Sequence, residues 1–275
     1  MRIIADLHTR VRTGPASDRV AEQVSAALAR GLEAVALFAP DPSSLSPVRE
    51  AARAIDRRTP TIRVLSGVDC RIVSAEGDLS LPRSVRREHD LVLALAAPRV
   101  APAMQRWFPR YRPGLRRTLT EAVVAAVYRN EIDLIALPGR LEVDPAELAR
   151  ACRDRGVALE VCARRPRPPA AFLRQAARLG VRFAATSGAR SPEEVGDCRA
   201  AVALLAAAGV PPEQVVNSDR GDLESWLAER RRRPDPGGWP DWARQGVREG
   251  EARRGREERR RSDWADWSAQ GGEIH

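Results

Sequence analysis

The chain contains no lysine: all 46 of its basic residues are arginine. Beside abundant Ala, Pro and Gly, that bias is read as base composition rather than selection, so the net charge of +9 is weak evidence for a nucleic-acid partner. Cysteine is scarce too. Cys70, Cys152, Cys162 and Cys198 are far apart and form no C-x-x-C pair, which argues against a zinc ribbon or a disulfide framework and fits a reducing cytoplasm. Long apolar runs are missing: the most apolar stretch, LVLALAAP (91–98), is far too short to span a bilayer, and MRIIADLH has no basic segment leading into an apolar one. The expectation is a cytoplasmic protein with no membrane partner and no signal peptide. Histidine is limited to His8, His89 and His275, and only the first lies in a motif.

The chain does have short apolar runs of strand length, at 2–5, 34–38, 62–68, 91–96, 133–137, 157–162 and 181–185. Segments with helical spacing separate most of them, such as DRVAEQVSAALARG (18–31), which has Asp near its start and Gly at its end. This alternation predicts an α/β fold with a parallel sheet covered on both faces. Seven strands in roughly 220 residues fit a closed or nearly closed barrel better than an open sheet. The stretch 69–82 breaks the rhythm and reads as a hairpin after the third strand. Residues 97–119, rich in Pro and Arg, read either as a lid over the barrel mouth or as a packed surface loop.

The composition changes near residue 230. The barrel is expected over 1–230, and 231–275 is expected to be a disordered tail of Arg, acidic residues and Trp, almost without aliphatics. Its WPDWA (239–243) and WADWS (264–268) segments could be solvated chain or two Trp-anchored docking motifs for a protein partner.

In β/α barrels the chemistry gathers at the C-terminal ends of strands. Of the expected strand ends, only two carry obvious metal ligands: Asp6 and His8 after the first strand and Asp69 after the third. Together they make at best one thin metal site, whereas a multi-metal phosphoesterase needs many more ligands.

The segment ADLHTR (5–10) resembles the D-x-H-x-H opening of the polymerase and histidinol phosphatase (PHP) superfamily. LSGVDCRIVSAEGDLSL is similar to that family's G-x-E hairpin segment, DLIALPGR to its H-P-G strand end, VALEV to its penultimate strand and ATSGAR to its G-S-D-x-H terminus. The resemblance covers residues 1 to about 230 and is closest to the small bacterial phosphatase-like branch. It implies a distorted seven-stranded β/α barrel of phosphoesterase ancestry, whose relatives use divalent Zn, Mn or Mg. By resemblance, His8 and Asp69 stand at ligand positions. Arg10, Leu137, Gly188 and Arg190 stand where His, His, Asp and His would be, and no ligand follows the second or fourth strand.

Arginine carries a permanent charge and cannot ligate a cation. Two readings of the mouth follow. Arg10 and Arg190, with Arg140 and more remotely Arg71 and Arg164, bind a phosphorylated or carboxylate ligand. Alternatively, Asp6 and Asp69 neutralise the arginines in a salt-bridge plug. The expected function is a non-catalytic anion-binding or interaction module without a cofactor. The rivals are a residual phosphoesterase using Asp6, His8 and Asp69, with His8 and Asp69 as catalytic candidates, and an Arg- and Trp-based nucleic-acid binder. Asp41, Asp78 and Glu160 are acids that could swing inward to replace lost ligands.

Overall fold

In a computed structural model of the chain, residues 1–96, 112–137, 143–164 and 168–232 are described. Seven strands form one all-parallel sheet in sequential order. They are β1 (Ala5–Arg10), β2 (Ala34–Phe38), β3 (Arg63–Arg71), β4 (Leu91–Leu95), β5 (Leu134–Ala136), β6 (Ala158–Cys162) and β7 (Phe183–Thr186). Among the described residues the helices are α1 (Ala16–Ala29), α2 (Leu45–Arg58), α3 (Arg83–Arg87), α4 (Arg112–Arg129), α5 (Pro145–Arg155), α6 (Ala170–Arg178), α7 (Arg199–Ala207) and α8 (Arg220–Arg232). The barrel read from the sequence is therefore present.

Local chemistry explains the helix boundaries. Asp144 caps α5 by accepting from the amides of Ala146 and Glu147, Pro145 supplies a fixed φ at its first position, and Gly156 ends it in the left-handed region at φ 62°. In α1, Val20, Gln23, Val24 and Ala27 recur at helical spacing and are the buried face. Val20, Val24 and Ala27 join Val35, Leu37 and Val64 in the layer between helices and sheet. The barrel interior is a second cluster that includes Leu7, Phe38, Leu65, Leu91, Leu93 and Leu134. At its base, α8 contributes Leu223 and the fully buried Trp226, whose indole N–H donates to the Gly156 carbonyl at 3.1 Å.

Different devices close the barrel at its two ends. Near the mouth, β1 meets the chain just after β7 directly: Gly188 N–H donates to His8 O at 3.1 Å, and Arg10 N–H to Ala189 O at 2.7 Å. Near the base, the segment 215–217 lies between the two edge strands. Val216 N–H donates to Phe183 O at 2.9 Å, and Ile4 N–H to Asn217 O at 3.0 Å. The Asn217 side chain completes the joint, its amide donating to Ala5 O (2.7 Å) and Ala185 O (2.6 Å) while its oxygen accepts from Ala185 N–H (3.1 Å).

The strand expected at 2–5 begins at Ala5 and runs through the whole ADLHTR motif. Just before it, Ile4 accepts from Glu33 N–H at 2.7 Å on one side and donates to Asn217 O on the other. The hairpin expected after β3 is present as an antiparallel bridge between Ile72 and Leu79. Of the connection 97–119, residues 97–111 lie outside the described residues and 112–119 begin α4. The boundary expected at 230 falls inside α8, and the Trp motifs lie outside the described residues. Among the described residues no helix is long and apolar enough to cross a membrane.

Gly67 of β3 faces Phe38 so closely that a Cβ there would lie 2.4 Å from the ring. Gly67→Ala is expected to destabilise the protein by about 2 kcal/mol through overpacking. Urea unfolding would show it as a lower midpoint at unchanged slope, and an unchanged midpoint would contradict this packing.

Candidate functional site

A bulge in β1 shapes the mouth. Asp6 pairs with Val35 and Thr9 with Leu37, so one extra residue is accommodated between them. Strand alternation is thereby reset: Asp6 points to one side of the sheet, while His8 and Arg10 turn toward the barrel interior.

His8, 1% exposed, reaches past β7 to Glu160 of β6, with Nδ1 and Oε1 2.5 Å apart. Thr186 Oγ1 donates to the same carboxylate oxygen at 2.8 Å. An ionised Glu160 accepts in both contacts, so the ring donates to it through Nδ1. The ring lies 4.7 Å from the Phe38 centroid. A buried imidazole oriented by a carboxylate can either exchange a proton or rigidify the core.

Asp6 is fully buried and spends its carboxylate elsewhere. It accepts from Ser187 Oγ (2.5 Å), Ser187 N–H (3.1 Å), Gly196 N–H (2.8 Å) and His8 N–H (3.4 Å). Burial raises its pKa above the ordinary carboxylate value, while the Ser187, Gly196 and His8 donors oppose the rise. Asp69 is held by the Arg10 guanidinium, which also donates to Ala39 O at 3.2 Å.

The thin metal site expected from Asp6, His8 and Asp69 is therefore not assembled. The three carboxylate and imidazole groups serve three separate networks, and a permanent cation is already bound to Asp69. Among the described residues no group of three or more His, Cys, Asp or Glu is placed to hold a metal ion.

Arg190 is exposed, and its main-chain N–H donates to Glu194 at 2.8 Å. It follows Ala189, the acceptor for Arg10 N–H, so the structure brings the main chains of the two arginines together. Arg140 lies outside the described residues. Arg71 is exposed at the end of β3, and Arg164 pairs with Glu194. Asp41 caps the turn after β2 by accepting from Ser43 and Ser44, and Asp78 belongs to the hairpin turn, where Ser74 Oγ donates to it. Glu160 is the acid that does point inward. Its signal was available in the sequence: a lone carboxylate in the apolar strand ALEVC, in phase with Ala158 of the interior cluster.

His275 lies outside the described residues, and His89 sits buried before β4 with no hydrogen-bond partner for Nδ1 among the described residues. Burial, reinforced by Arg49, pushes its pKa down to about 4. A histidine whose folded pKa lies below its unfolded value stabilises the fold above the unfolded pKa, and that contribution is lost as pH falls. Its loss between pH 6.5 and about 4 is expected to approach about 3 kcal/mol, and His89→Gln should flatten the profile in that window. Denaturant titrations at several pH values would measure it, and equal slopes in both proteins would refute it.

No family model matches the chain. A protein named probable phosphatase from a Thermoanaerobacter species is 24% identical over 248 residues, covering 85% of this chain and 98% of its own length. Proteins of the same name from Edwardsiella ictaluri (27% over 259 residues; 86% and 98%) and Caldanaerobacter subterraneus (24% over 257 residues; 88% and 97%) are also similar. Full-length similarity to these relatives supports a phosphatase-like family and a phosphoesterase ancestry for this chain.

Proposed function

We propose that this chain is a degenerate PHP-superfamily barrel that has given up metal-dependent phosphoester hydrolysis and serves to bind a small phosphate- or carboxylate-bearing ligand at its mouth. The observation that carries this reading is the Arg10 guanidinium, seated at the barrel mouth on Asp69. It would repel a divalent cation there and supplies a fixed positive charge of its own. The pair is part-exposed, at 24% and 32%, so its attraction is screened and an incoming dianion can compete with Asp69 for the guanidinium. Arg190 adds a second charge from the adjoining chain, and among the described residues its guanidinium has no ion-pair partner.

The test joins metal content to ligand binding. Protein equilibrated with Mn²⁺ and Zn²⁺ and then desalted is expected to retain far less than one ion per chain. Inorganic phosphate should raise the melting temperature of the wild type and raise that of Arg10→Gln much less. One or more tightly held ions per chain, with metal-dependent hydrolysis of p-nitrophenyl phosphate, would overturn the proposal.

The His8–Glu160 pair supports a second reading, acid/base chemistry without a metal. Hydrolysis that survives chelator and disappears in His8→Asn would favour it over the binding module.

A further inference from the structure

Beside the mouth lies a cavity of about 320 Å³, at the low end of small-molecule site volumes. Ala163 and Arg164 after β6, Ser187 after β7, Glu194 and Asp197 in the following loop, and Arg199 and Ala200 at the start of α7 line it. The Arg10–Asp69 pair is not part of this lining.

Its charges occur as two balanced pairs. Arg164 is bound to Glu194, and Arg199 donates to both oxygens of Asp197 at 2.8 and 2.9 Å. Arg199 is 90% exposed and Arg164 45%, so both attractions are screened and their partners can be exchanged at small cost. The frame behind them is fixed. Asp6 clamps Ser187 and Gly196 to β1, and Glu194 also accepts from Arg190 N–H.

This balance selects among ligands. A phosphate ion can compete for either arginine, as at Arg10, but among the described residues no unpaired arginine lines this cavity to offset the displaced carboxylate, so it gains less here. A simple cation meets the mirror-image problem. A molecule carrying one carboxylate and one ammonium can replace both halves at once, its carboxylate meeting an arginine and its ammonium an acid. The Arg199 guanidinium holds the Asp197 carboxyl below its ordinary pKa, so that acid is ionised at neutral pH. Cys198, at the N-cap of α7, turns its thiol to Ala185 O and caps none of the first amides of that helix. Those amides add weak attraction for the carboxylate end.

We infer that this cavity is a binding site for a small zwitterion of the α-amino acid class, separate from the anion site at Arg10. The volume admits a small or medium amino acid and the pre-set loop limits the ordering cost.

The experiment is calorimetric titration of the full chain with L-alanine, L-leucine and L-glutamine. Acetate, methylammonium and inorganic phosphate serve as probes of each charge alone. At least one amino acid is expected to bind, with acetate and methylammonium at the same concentration giving no signal. Arg164→Gln and Asp197→Asn remove exposed groups that the interior does not use, so both should fold with near-native melting curves while weakening that binding at least about tenfold. Arg10→Gln should leave it unchanged, which separates failure of this inference from failure of the anion-site reading. Absence of binding by all three amino acids, binding that both cavity variants leave intact, or competition by inorganic phosphate would each overturn the inference.

Discussion

Asn217→Asp is expected to unfold at much lower denaturant than the wild type, with a loss of roughly 4 kcal/mol. The fully buried Asn217 amide donates to the carbonyls of Ala5 and Ala185 across the gap between β1 and β7. A carboxylate has no donor to offer them, so three buried oxygens would face one another in place of two hydrogen bonds. Asn217→Ala removes the repulsion but strands the Ala5 carbonyl and the Ala185 N–H and leaves the Ala185 carbonyl only the weak Cys198 thiol, so it should cost about 3 kcal/mol. For a barrel of this size the larger loss corresponds to roughly 10 °C in melting temperature. Calorimetry on both variants checks the order. If aspartate were tolerated as well as asparagine, the side chain would not be the joint between the edge strands.

Glu160→Ala carries the second large effect, about 3 to 5 kcal/mol, because it leaves the buried His8 imidazole and the Thr186 hydroxyl without their shared acceptor. Glu160→Gln keeps a carbonyl oxygen in place and should recover more than half of the loss. A double-mutant cycle with His8→Asn isolates the pair, with an expected coupling of about 2 kcal/mol. Additive single losses would show that His8 and Glu160 are buried side by side without depending on each other.

The strands were legible because parallel strands buried on both faces read as apolar runs, and β2 and β4 fall almost where AVALF and LVLAL place them. The first strand was set too early for a physical reason. Asp6, His8 and Arg10 look like loop residues in a linear reading, yet each finds a partner that admits it to a buried strand. Those partners are distant in sequence: Glu160 lies 152 residues from His8, and Ser187 lies 181 from Asp6. The motif therefore announced a site, while its division into three networks depended on contacts that no local pattern carries. Arg10 was the exception. Its charge and its place in the motif already argued against a metal, and Asp69 was among its expected neutralising partners.

The segment that closes the base of the barrel also sets an order in time. β1 is made before the other six strands, yet the hydrogen bonds that tie its open edge at the base of the barrel come from Asn217, more than two hundred residues later. On the ribosome, six further strands emerge while β1 and the growing sheet still present unpaired edges. At about 5–20 residues per second, that interval lasts on the order of ten seconds or more. Completion of the barrel is therefore a late event in the life of each new chain, and the nascent protein depends through that interval on whatever shields its open edges.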